Sequence, residues 1–422
     1  MESTQKNYSL PIAMMFALFF MIAFVTGLPS PMGVIVAKQF GASNFESQLG
    51  FLGNFLAYAF MGIPAGIMLK KYGYKKTALS AIAVGFVGVS VQFLSGQVGS
   101  FTVYLTGAFI SGFSMCMLNT VVNPMLNTLG GGGNKGNQLI QFGGSINSIG
   151  ATITPMLVGW LMGAEAGRTI EKANPALFLA LGIFALAFIV LKFVSIPEPH
   201  LESATERSVK HLHSPLSFRH FILGAVAIFI YVGIEIGIPS TANLFMTASK
   251  TAANVGLGID ATTAGSIVGI YWLLMLVGRL FGASIGAKVS SRAMLITVST
   301  LGLLFILSAI FSPITTVVTI PFIGVQVPIS ILFFVLCGLC TSIMWGGIFN
   351  LAVEGLGKYT AAASGIFMVM VCGGGIVPLF QGYVSDHFGY LNSYWVMFAC
   401  LGYMLFYGLI GSKNVNKDIP VE

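Results

Sequence analysis

Charge is what this sequence has least of. Only 8% of its 422 residues are Asp, Glu, Lys or Arg, against about 25% in soluble domains. The deficit extends along nearly the whole chain, which excludes a soluble domain carrying one anchor. Basic runs are absent too: none is longer than Lys70-Lys71 or Lys75-Lys76, so nucleic acid is excluded as a partner. The five cysteines (Cys116, Cys337, Cys340, Cys372 and Cys400) all sit in apolar runs. The Cys337/Cys340 spacing has no second pair and no nearby histidine, so no metal site follows and these residues read as small helix-packing groups. The spans hold no Ser/His/Asp, HExxH or DxD constellation, which argues against an enzyme. The glycine run Gly131-Gly132-Gly133 lacks a following Lys-Ser/Thr and a preceding strand, which excludes a phosphate loop. No cofactor is expected.

What is present is apolar sequence in long runs. Hydrophobic residues make up 56% of the chain, and the mean hydropathy is +0.89. A membrane span needs about 20 mostly apolar residues. That rule gives twelve, at about 11–37, 47–69, 77–97, 101–127, 137–162, 176–196, 219–246, 263–287, 292–312, 327–354, 360–384 and 389–411. The first run is too long for a signal-peptide core and has no clean cleavage site, so it reads as a retained helix. The most polar linker, Pro197 to Arg219, divides the spans six and six. The expected domains are an N-terminal bundle over 1–196, a linker over 197–218 and a C-terminal bundle over 219–422. With both termini cytoplasmic, fifteen of the 20 Lys and Arg residues fall inside, four (Lys38, Arg168, Lys172 and Lys250) fall outside, and Arg279 lies within a span. This asymmetry fits the positive-inside rule and points to a multi-pass protein of a cell (inner) membrane, in contact with lipid and read as a monomer.

The two halves repeat. The second span runs from Gly66 into Lys70 and Lys71, and the eighth runs from Gly282 into Lys288. The fifth carries Gly150, Pro155 and Gly159; the eleventh carries Gly373, Gly374, Gly375, Pro378 and Gly382, with the same Pro-to-Gly spacing. Parallel repeats of this kind are a transporter architecture, with the site at the midplane between the halves. The glycine and proline clusters are expected to be gating hinges, because lipid-embedded helices tolerate such residues where neighbours satisfy the freed backbone groups.

Embedded charge is costly, at roughly 2.5 kcal/mol and upward, so each case needs a reason. Glu235 is the only carboxylate deep within a span. It could exchange a proton, hold sodium or bind a sugar hydroxyl; the plainer reading is a structural carboxylate bonded to a neighbouring helix. Its place beside Gly237 and Pro239 predicts a broken helix there. Arg279 is expected to form a gating latch with Glu354 at the inner end of the tenth span. Amides that suit a neutral polyol, since they both donate and accept, are Asn119 and Asn123 (one turn apart on one face), Gln141, Asn147, Asn350 and Gln381, with Asn54 and Asn243 also within spans. Trp272 and Trp345, with Tyr58 and Tyr271, are the aromatic candidates. For each of these, helix–helix bonding is the competing reading.

The chain resembles the major facilitator superfamily, and within it the fucose:proton symporter and glucose/galactose transporter group. The loop from Gly66 to Lys76 is similar to the superfamily's loop 2–3 signature, with Lys70 where an acid is commonest. Asn123-Pro124 before Leu129-Gly130, Ile146-Asn147-Ser148-Ile149-Gly150-Ala151, and Tyr231-Val232-Gly233-Ile234-Glu235 resemble group motifs in the fourth, fifth and seventh spans. Ser342 through Lys358, then Gly373 to Pro378 and Ser385-Asp386, resemble its tenth and eleventh spans. The resemblance implies an all-α polytopic membrane protein of 12 transmembrane helices in two six-helix bundles. It also implies a role for Gly66, Lys70 and Lys71 in locking the inward gate. The departures lie in the N-terminal half. The expected acid of the first span falls on Ser30, a Glu or Gln of the fourth on Asn119, and a Gln of the fifth on Gly144, although Gln141 lies one turn earlier.

The reading that follows is a secondary active transporter that imports a sugar or sugar-like solute by alternating access, coupled to H+ or Na+ through Glu235. A uniporter, or a carrier of another polar solute such as an amino sugar or sugar acid, is the alternative within transport. A non-transporting receptor or scaffold is the alternative outside it.

Overall fold

The computed structural model describes residues 8–129, 133–161, 170–198, 214–251, 254–285, 289–320, 323–356, 359–416 and 418–420. Most of the 197–218 linker, the Gly131-Gly132 pair, Arg168, Lys288 and Lys358 lie outside them. The first half is built from α1 (Ser9–Gly27), α2 (Pro29–Phe40), α3 (Asn44–Ser47), α4 (Leu49–Val98), α5 (Phe101–Leu129), α6 (Gly133–Leu161) and α7 (Asn174–Phe193). The second contains α8 (Arg219–Thr247), α9 (Ala261–Ile285), α10 (Ser291–Phe311), α11 (Ile329–Thr341), α12 (Met344–Val353), α13 (Thr360–Met370), α14 (Gly373–Phe388) and α15 (Tyr390–Phe406). Among the described residues, eleven helical stretches are long and apolar enough to cross a membrane. The twelfth is α6, which is of similar length but diluted by glycine, asparagine and serine.

The local causes are conventional. In lipid the backbone must satisfy itself, so the spans are helices. α4 holds two spans joined at Gly73, whose φ of 83° and ψ of 176° turn the chain. Glu198 follows α7 and accepts the backbone N–H groups of Tyr74 and Lys75, closing the start of the second arm. Gly99 caps α4 at φ 62° and returns its N–H to Ser95 O, the left-handed termination that glycine adopts without strain. Ser290 caps α10 through Ala293 N–H. One short antiparallel hairpin, Val317–Thr319 with Gln326–Pro328, joins α10 to α11.

The halves meet where α6 packs on α9, and where α4 and α3 pack on α13 and α14. The closeness of the second contact comes from small residues. A Cβ on Gly375 would come within 2.6 Å of Leu52 Cα, and one on Gly382 within 2.8 Å of Asn44 O. The eleventh span tightens ahead of its glycines: between α13 and α14, Val371 and Cys372 keep helical dihedrals, but Gly374 and Gly375 donate three residues back, to Val371 O and Cys372 O. Its counterpart does not: α6 is continuous through Gly150 and Pro155, and Gly150 packs against Ala23 and Phe20 of α1. The side chain of Pro155 lies outside the described residues.

Contact between the halves is strongest at the end away from the chain termini. There Asp386, at the close of α14, accepts N–H bonds from Asn44 and Phe45 at 2.8 Å each. Tyr390 donates its hydroxyl to Asn44 Oδ1, and Thr262 of α9 donates to Gly159 O of α6. Toward the other end, Gly62 still touches Val369. One turn further, a Cβ on Gly66 or on Gly365 would meet nothing within 4 Å. The halves are latched at the end away from the chain termini.

Candidate solute-binding site

The site is organised by one ion pair. Glu235, on α8, lies 3.5 Å from the guanidinium of Arg279, on α9, and each side chain is 15% exposed. Among the described residues this is the ion pair within the spans. Arg279 also crosses to the other half. Its Nη1 donates to Gly144 O at 2.7 Å and to Ser148 Oγ at 2.8 Å, both on α6. Gly144 and Ser148 are four residues apart and share one helix face. The guanidinium stands 3.8 Å from where a Cβ on Gly144 would be, an ordinary contact distance. The pair therefore ties together the seventh, eighth and fifth spans. Removing one member of such a pair strands the other charge, at a cost of about 3–5 kcal/mol.

Two expectations are corrected here. Arg279 does not latch to Glu354. It faces α6 and α8, where buried oxygens satisfy its donors, whereas Glu354 is exposed beyond the end of α12. The Glu354 main-chain carbonyl bonds His220 Nε2 at 2.9 Å. Nor is α8 broken at Glu235: it is one helix across Pro239. Proline has no N–H for the carbonyl four residues back, which is that of Glu235. The Tyr271 hydroxyl donates to that oxygen at 3.2 Å and sits 3.0 Å from Thr341 Oγ1. A side chain from α9 replaces the missing helix bond, so no break is needed.

Aromatic rings close in around the pair. Tyr231, one turn before Glu235, is fully buried, and its ring centroid is 6.2 Å from that of Trp345 on α12. Trp272 packs edge-on to Tyr271. Deeper in the same half, Gln381 of α14 is 0% exposed, and neither amide atom has a hydrogen-bond partner. Its Oε1 is 2.8 Å from where a Cβ on Gly237 would stand. A buried amide without partners is costly, and it is an available donor and acceptor next to α8.

The N-terminal amides are occupied. Asn119 Nδ2 donates to the Tyr58 hydroxyl and to Met115 O, and Asn123 Nδ2 to Asn119 O. Asn147 Nδ2 donates to Phe19 O of α1. Each keeps its carbonyl oxygen as an acceptor. Asn350 is exposed near the end of α12. The side chains of Gln141 and Lys70 lie outside the described residues. Lys71 is exposed, with its ammonium 5.2 Å from the Tyr72 ring. The structure thus brings together Glu235, Arg279 and Trp345 with Tyr231, Tyr271, Gly144 and Ser148. It keeps the Asn119–Asn123–Tyr58 cluster as a separate polar group on α4 and α5. Ser148 and Gly144 were not among the candidate contacts. Their signal was a small-residue face on a glycine-rich helix, which does not say what fills it.

The chain matches the model of the Major Facilitator Superfamily over residues 14–378. It is 30% identical to a glucose/galactose transporter of Brucella abortus biovar 1 (strain 9-941), over 98% of this chain and 96% of that one. It is 23% identical to the L-fucose-proton symporter of Escherichia coli (strain K12), over 91% and 89% respectively. Its fold is like that of the crystal structure of FucP in the outward conformation, with a TM-score of 0.69 at 20% identity, covering 96% of this chain and all of that one. It is also like a D-xylose-proton symporter, with a TM-score of 0.71 at 12% identity, covering 97% and 98%. Matched to the family's model over most of its length and alike in fold across nearly all of it, this chain belongs to the Major Facilitator Superfamily.

Proposed function

We propose that the protein is a secondary active transporter that imports a hexose-like sugar by alternating access between its two six-helix bundles. The bundles correspond to residues 1–196 and 219–422. The observation that carries this reading is the Glu235–Arg279 pair, which bonds to both halves and has aromatic groups around it. Alternating access needs a site whose contacts to one half change when the other half moves, and this pair has that form. Relatives that share nearly the full length are named for glucose, galactose and fucose, which supports a carbohydrate as the solute. Glu235 is the carboxylate through which a proton or sodium gradient would be coupled.

The lysine and arginine distribution supports cytoplasmic termini in a cell (inner) membrane. In that orientation the Asp386 latch lies on the external side, which supports an inward-facing form. Gly66 then sits where the inner gate closes, and the small residues of α14 form the face that slides on α4. The protein acts as a monomer, since each chain contains both bundles.

The test is uptake of radiolabelled galactose and glucose into proteoliposomes containing the purified chain. Accumulation above equilibrium under an imposed proton or sodium gradient is the expected result. Sugar binding with no counterflow at all would instead make the protein a receptor.

A further inference from the structure

The charges at the centre of this site are balanced within the protein, and the balance has a consequence for what the site accepts. Arg279 is a cation of the second half whose guanidinium is taken up by one carboxylate, Glu235, and by two uncharged oxygens of the first half, Gly144 O and Ser148 Oγ. A guanidinium is always charged. A solute carboxylate entering here would have to compete with Glu235 for it, and would leave Glu235 stranded. A solute ammonium would have to take Glu235 from Arg279 and strand the guanidinium. A neutral polyhydroxyl solute does neither.

We propose that Arg279 is the residue that sets charge selectivity at this site: paired with Glu235 and anchored on α6, it restricts the carrier to uncharged sugars and excludes sugar acids and amino sugars. The inference rests on the sugar-transport reading and narrows it. Selectivity is a difference in affinities, so it is read by changing the charge of the pair and not by deleting contacts alone.

The experiment uses the full chain, purified in detergent, with D-galactose, D-galacturonate and D-galactosamine as probes, and binding measured by tryptophan fluorescence titration. The wild-type chain is expected to bind galactose and to discriminate against both charged sugars. Glu235→Gln leaves the guanidinium uncompensated, and its preference should shift at least tenfold toward galacturonate. Arg279→Gln leaves the carboxylate uncompensated, and should shift at least tenfold toward galactosamine. The double variant, which has no charge in the pair and is therefore the best placed to fold, should return to a neutral preference. Arg279→Lys should keep the neutral preference, a rescue that a purely structural role for the guanidinium fork does not give. The proposal is overturned if both single variants discriminate as the wild type does, or if the double variant binds galacturonate as well as galactose.

A wild-type chain that binds galacturonate or galactosamine as tightly as galactose overturns this proposal and leaves the sugar reading standing. A wild-type chain that binds none of the three overturns the sugar reading, and this inference with it.

Discussion

Asp386→Asn is the substitution whose effect follows most directly from geometry. Asp386 closes the end of α14, and its two oxygens accept the N–H groups of Asn44 and Phe45 at 2.8 Å. Those two donors open the four-residue helix α3. The next one, Glu46 N–H, goes to Ser43 Oγ within a capping box. The first N–H groups of a helix have no partner of their own, so the second half of the molecule caps a helix of the first. Hydrogen bonds to a charged acceptor contribute about 1.5–3 kcal/mol each. Asparagine keeps one acceptor oxygen but loses the other and the charge. The closed state should therefore lose about 1.5–3 kcal/mol, while in the opened state the side chain at 386 is hydrated in either protein. At 1.4 kcal/mol per tenfold, the balance moves toward opening at this end by roughly 10- to 150-fold. Nitroxides on the exposed residues Gln97 and Lys250, placed on opposite halves at this end, report it by pulsed electron paramagnetic resonance as a longer distance population. Tyr390→Phe removes only a neutral bond to Asn44 Oδ1 and should shift the same distribution less. Unchanged distances in Asp386→Asn would refute the latch.

Three further expectations come from single contacts. Gly373→Ala places a Cβ against Phe229 O of α8; overpacking of this kind costs about 1–3 kcal/mol, and the Tm of the purified chain should fall. Tyr271→Phe removes the donor that serves the Glu235 carbonyl freed by Pro239; a stability loss of about 1–2 kcal/mol and weaker sugar binding are expected, whereas an unchanged Tm would count against the replacement bond. Glu198→Gln weakens the cap on Tyr74 and Lys75 and should raise protease sensitivity of the loop after Lys71 without altering sugar binding.

The architecture was legible in the sequence because a bilayer imposes simple rules. Span length, the lysine and arginine bias and the polar linker each depend on residue type and order. Even α6, diluted by glycine, asparagine and serine, was counted among the twelve by its run of about 20 mostly apolar residues. Glu235 was legible for the same reason: a lone carboxylate deep within a span is conspicuous. Its partner was not. Arg279 could be matched with several carboxylates, and Glu354 seemed suitable because both lie near the inner ends of their spans. The choice was made by helix faces: Arg279 faces α6 and α8, and α12 ends in solvent. The Asp386 latch joins residues more than 340 positions apart, and nothing local in either segment announces it. Pro239 shows a third kind of gap. A proline in a span signals a freed carbonyl, but the sequence does not say whether the chain breaks or a neighbour such as Tyr271 fills the vacancy.

The central claim, that Glu235 couples a gradient to sugar movement, is tested most directly by comparing two transport modes in proteoliposomes of the Glu235→Gln protein. Counterflow exchanges labelled for unlabelled galactose and needs only the site and the conformational change. Gradient-driven uptake needs the coupling carboxylate as well. The account predicts that the variant retains counterflow and loses accumulation, while the wild type performs both. Full gradient-driven accumulation by Glu235→Gln would contradict it.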